Sequence, residues 1–113
     1  MLAMAVTTLL AVGALQAATQ PPSYDGAVRC AGLTQAASEL EGGESGEGQS
    51  LNDAALFWSL TAMQMAQSAA RPTATAEADQ TRARIRAVRE LSANDAAARA
   101  ELQRCRARTP ELG

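Results

Sequence analysis

Apolar residues recur at spacings of three and four along four stretches of this chain, the period of helices that each bury one face. In the first, Tyr24 to Glu41, that spacing aligns Gly26, Cys30, Leu33, Ala37 and Leu40 in a narrow stripe. Gly42-Gly43 follows, supplying the left-handed geometry that ends a helix. Gly42 to Gln49 reads Gly-Gly-Glu-Ser-Gly-Glu-Gly-Gln, the composition of a flexible acidic linker. The second stretch, Leu51 to Ala70, opens on Ser50-Leu51-Asn52-Asp53, with Ser50 placed to cap and Asp53 at the positive helix end.

From Ala54 to Ala70 there is no charged residue. Leu51, Ala55, Trp58, Ala62, Met65 and Ala69 form the main stripe, and Leu56, Leu60 and Met63 widen it. This helix is expected at the centre of the fold. Asn52, Asp53, Gln64, Gln67 and Ser68 argue against its crossing a membrane. Arg71-Pro72 ends it, because the residue before proline is pushed out of helical geometry. The third stretch, Thr75 to Leu91, turns Ala78, Thr81, Ile85 and Val88 inward. Ser92-Ala93-Asn94-Asp95 repeats the capping signal before the fourth, residues 93–108, which presents Ala98, Leu102 and Cys105. β-Branched residues are too scattered for a strand. The expected fold is all-α: an up-down-up-down four-helix bundle, since short connections join antiparallel neighbours.

The residues ahead of the first helix differ. Leu2 to Ala18 carry no charge, end in small residues and precede Thr19-Gln20-Pro21-Pro22. That is the form of a secretory signal peptide over residues 1–18, although the basic residues that usually open one are missing. The expectation is export to the bacterial periplasm or beyond, leaving residues 19–113 as a single helical domain. An oxidising compartment follows, and it bears on the two cysteines. In an up-down-up-down bundle the start of the first helix lies beside the end of the fourth. Cys30 and Cys105 occupy those two places, both on inward stripes, so topology and compartment both predict one disulfide.

Composition narrows the chemistry. Apolar residues make up 47% of the 113, but aromatic residues only 3%, so alanine dominates and the core is built from small groups. Histidine is absent, which removes the commonest general base and metal ligand. There is no Gly-x-Ser-x-Gly, no phosphate loop and no Cys-x-x-Cys. The expectation is a protein that is not an enzyme and has no cofactor or metal. Glu39, Glu41, Glu44 and Glu47 lack the spacing of a calcium loop and read as a solvated segment.

All ten basic residues are Arg. Nine lie between Arg71 and Arg108 against five acids, whereas Asp25 to Asp53 holds one Arg against six acids. The simplest reading pairs these charges loosely across helix seams. The sharper one makes Arg82, Arg86 and Arg89 a basic face for an anionic membrane surface. Nucleic acid fits poorly with export and with so few stacking aromatics. Phe57 stands at the middle of the second helix's polar face, either covered by the 42–49 linker or serving as an anchor for a partner or a second copy. The function expected is that of an exported interaction protein, such as an accessory subunit, an inhibitor or a small holdase. A carrier of a small apolar ligand and a membrane-surface bundle are the alternatives.

Overall fold

The structure, a computed structural model, describes residues 22–110. The signal peptide expected over residues 1–18 lies outside them. Four helices account for nearly all of the described chain: α1 (Tyr24–Glu41), α2 (Gly46–Ser68), α3 (Thr73–Ser92) and α4 (Ala96–Ala107). They form a helical bundle, with no strand among the described residues.

The bounds of α1 are those its sequence predicts. Its N-terminus is capped by the Ser23 hydroxyl, which accepts from the Gly26 amide at 3.0 Å. At the other end Gly42 adopts φ +88°, and its amide donates to the Ser38 carbonyl. The segment that follows is not a long linker. Ser45, not Ser50, caps α2, accepting from the Gly48 amide at 2.9 Å. Only residues 42–45 connect the two helices, which run back along one another. Gly48 sits against the Gly42 carbonyl so closely that a Cβ there would overlap its oxygen. Glycines that read as flexibility in the sequence are spent on a tight reversal.

The centre of the fold is α1 and not α2. Ala27, Cys30, Ala31, Gly32, Leu33, Thr34, Ala36, Ala37 and Ser38 are all buried, so α1 is covered on more than one face. The physical reason is side-chain size: small residues let partner backbones approach from two sides. From one side comes α2, bringing Leu51, Ala54, Ala55, Trp58, Ala62 and Ala66. From the other comes α3. A Cβ on Gly32 would lie 2.5 Å from the Ala83 carbonyl carbon, so these two backbones touch.

The course of α3 can be read from its partners. Tyr24 meets Asp79, Arg29 meets Glu90, and Glu39 meets Arg84. Moving along α1, the matching positions on α3 advance and then return. These contacts tie α3 to α1 along much of its length, so α1 and not α2 lies in the middle of the four helices. The inward face of α3 also differs from the expected one: Ala76 and Ala87 are buried, while Ala78, Thr81 and Ile85 face solvent and Val88 is half-buried. Close approach at Gly32 selects the alanine ridge, and the larger Ile85 is left outside. On α4 the inward residues are Ala98, Leu102 and Cys105, as expected.

Cys30 and Cys105 form a disulfide, S–S 2.07 Å, joining α1 to α4 across 75 residues of sequence. Trp58 packs beside it, 1% exposed, and is the largest fully buried side chain. Its indole N–H donates to the Cys105 carbonyl at 3.1 Å and to the Thr109 hydroxyl at 2.9 Å. The one large polar group in an apolar core is thereby satisfied.

Candidate interaction surfaces

The charged side chains sort into two groups. One group ties helices together. Arg29 on α1 reaches Glu90 on α3 at 2.7 Å and Glu101 on α4 at 2.9 Å, with its Nε donating to Glu101 at 3.1 Å. The Glu101 hydrogen bond leads the effects that raise the Arg29 pKa, and Arg29 in turn holds the Glu101 carboxyl below its ordinary value. Arg84 pairs with Glu39 at 3.0 Å, and Arg106 pairs with Glu47. The charge asymmetry between the two halves of the sequence is thus resolved in part as pairs across seams. Glu47 is held as a carboxylate below its usual range by the Arg106 hydrogen bond. Two of the four glutamates weighed as cation ligands, Glu39 and Glu47, are engaged in this way, and no metal-binding cluster occurs among the described residues.

A second polar contact joins α1 to α3 at their outer edge. The Tyr24 hydroxyl donates to Asp79 at 2.7 Å, and the Arg71 guanidinium lies 4.4 Å from the centre of the Tyr24 ring. Burial pushes the Tyr24 pKa up, and the Asp79 hydrogen bond adds to it. That same bond lowers the Asp79 pKa. An open groove of about 300 Å³ runs between Tyr24, Val28, Arg29, Asp79, Ala83 and Arg86. Asp79, Arg29 and Arg86 are engaged in ion pairs there, and Asp25, which also lines the groove, is exposed to solvent.

The other group faces outward. On α3, Arg82 pairs with Asp79 and Arg86 with Glu90 at 3.4 Å, both within the helix, while Arg89 is exposed. Ile85 sits among them at 45% exposure. The structure therefore brings Arg82, Arg86 and Arg89 onto one outer face, with two of the three paired within the helix.

Phe57 is half-buried. Its ring meets Trp58 edge-on, centroids 5.1 Å apart and planes at 81°, and packs against the core. The 42–45 turn lies three helical turns away, so the linker is not its cover. The apolar side chains that do stand out on α2 are Leu56 and Leu60, each 55% exposed. They were expected to widen the core stripe. They instead face solvent, next to Ser59 and Met63 on the flank turned towards α3, where Gln80 donates to Met63 Sδ and accepts from the Ser59 hydroxyl. The sequence held this signal in the uncharged run from Ala54 to Ala70, which is more than a buried face needs.

None of the described helices is long and apolar enough to cross a membrane. Comparison with protein-family models, with curated proteins and with solved structures gives no match to this chain.

Proposed function

We propose that this protein is an exported, non-enzymatic interaction module that docks a protein partner on the outer face of α2. The observation that carries this reading is the exposure of Leu56 and Leu60 on a helix that has no charge from Ala54 to Ala70. Depletion of charge with retention of large apolar groups marks the centre of protein interfaces better than overall hydrophobicity does. Elsewhere the outer surface is rich in ions, with Arg82, Arg86, Arg89 and Arg104 on α3 and α4. A disulfide and a core of small, closely packed residues suit a rigid platform in an oxidising compartment. They suit an internal carrier of apolar ligand less well, because such a carrier needs an enclosed cavity.

The test is position-dependent crosslinking in the exporting cell. A photo-reactive residue at position 60 should yield one discrete adduct, and the same residue at position 104 should yield none. Equal capture at both positions, or at neither, would refute the docking face.

One feature favours a second reading: Ile85 stands exposed within the Arg82–Arg86–Arg89 stripe, an arrangement suited to an anionic membrane surface. Sedimentation with vesicles containing acidic lipid decides it. Binding that survives physiological salt and is lost in Arg86→Glu supports this reading, and no binding removes it.

A further inference from the structure

We infer that the partner of the α2 face is a second copy of this chain, paired through α2 about a two-fold axis near Leu60. The inference rests on the docking role proposed above and names its occupant. Leu56, Leu60 and Met63 follow one another at spacings of four and three, with Asn52 four residues before and Gln67 four residues after. This is the spacing of a helix–helix seam, with an apolar middle and amides at its two ends. Asn52, Leu56, Leu60 and Gln67 are exposed, and Met63 is half-buried against Gln80. The strip is thus presented to solvent along about four turns of α2.

Its charge pattern selects the occupant. A face of one sign repels its own copy, whereas an uncharged face meets itself without that cost. The exposed acids of α2, Glu47 and Asp53, lie ahead of Ala54, Asp53 flanking the Asn52 end of the strip, whereas the other described helices carry charge along their outer sides: Glu39 and Glu41 on α1, Arg82 and Arg89 on α3, Arg99 and Arg104 on α4. The electrostatic condition for self-pairing is met by the stretch of α2 from Ala54 to Gln67. The order of residues is also self-complementary. In an antiparallel pair centred near residue 60, Leu60 meets Leu60, Leu56 lies beside Met63 of the second copy, and Asn52 lies beside its Gln67. A two-fold contact requires such a palindromic match, because each patch must fit itself. The terminal amides can hydrogen-bond across the seam and fix its register, as buried polar residues do in coiled coils.

Sedimentation equilibrium of the exported, oxidised chain tests this. The wild type should show a concentration-dependent monomer–dimer equilibrium. Leu60→Arg places two like charges on the axis and should weaken association at least tenfold with its helical circular dichroism unchanged. Ile85→Arg, on an exposed residue off the strip, should leave association intact. Leu56→Glu should weaken it, and adding Met63→Lys should restore it, because each glutamate then faces the other copy's lysine. A wild type that stays monomeric to its solubility limit overturns the inference. So does a Leu60→Arg protein that dimerises like the wild type, or an Ile85→Arg protein equally weakened. In the crosslinking experiment, an adduct of twice the chain mass supports the dimer. A discrete adduct of any other mass overturns it while leaving the docking face standing.

Discussion

Gly32 shows how one hydrogen atom in place of a methyl group sets the fold. The α1 and α3 backbones meet there, and a Cβ would press on the Ala83 backbone, which no rotamer change can relieve. Gly32→Ala gains up to about 1 kcal/mol of helix propensity. It incurs roughly 1–3 kcal/mol of overpacking, and the backbone contact puts it at the upper end. Urea denaturation should therefore show a net loss. Gly46, in the first turn of α2, is the control: nothing lies within 4 Å of its would-be Cβ, so Gly46→Ala should leave stability unchanged or raise it. The neighbouring aromatics give a second contrast. Trp58→Ala empties a buried site and removes two hydrogen bonds, and it should cost about 3–5 kcal/mol. Phe57→Ala loses a half-buried ring and should cost less, roughly 1–2 kcal/mol. Equal losses in the two variants would mean that Phe57 belongs to the core proper.

Between helices, Arg29 bridges three elements, and its partner Glu101 makes the bundle sensitive to acid. The Arg29 hydrogen bond holds the Glu101 carboxyl below its ordinary value of 4.5, so folding favours the ionised form. The stabilisation is complete above that value and is lost as pH falls through the lower, folded-state value. Glu101→Gln should leave a shallower fall in melting temperature on acidification below about pH 4.5 than the wild type shows. An unchanged acid limb would remove Glu101 from the account. At this scale much was legible beforehand. Periodicity located all four helices and placed Ala98, Leu102 and Cys105 inward correctly. The starts of α2 and α4 differ from those the sequence suggests because more than one capping residue is available at each. Ser45 wins over Ser50 because Gly48 can close against Gly42, and Asp95 wins over Ser92 because Asn94 takes the left-handed turn at φ 62°. On α2 the spacing places Leu51, Ala55, Trp58 and Ala62 inward, as they are, but not the widening residues Leu56 and Leu60, which stay exposed. On α3 the buried face is that of Ala76 and Ala87, because alanine and glycine ridges pack closest here and leave Ile85 outside. Spacing alone does not show which large residues stay exposed, and so it does not reveal the candidate site.

At the level of the whole molecule, α1 is the axis on which the others rest, and the disulfide closes the assembly by fixing α4 to it. In the chain-entropy account, a 75-residue separation corresponds to about 4.5 kcal/mol. Reduction should lower the melting temperature by roughly 20–35 °C, given 4–8 °C per kcal/mol for a domain of this size. A shift of only a few degrees would show that packing alone carries the fold. The bridge has one more consequence, for the cutting of the chain. All three connections between helices, at residues 42–45, 69–72 and 93–95, fall between Cys30 and Cys105, inside a covalent ring. Cleavage at any one of them opens the ring without releasing a piece. Limited proteolysis should therefore give a band of nearly unchanged mass on a non-reducing gel that splits into two fragments once a reductant is added.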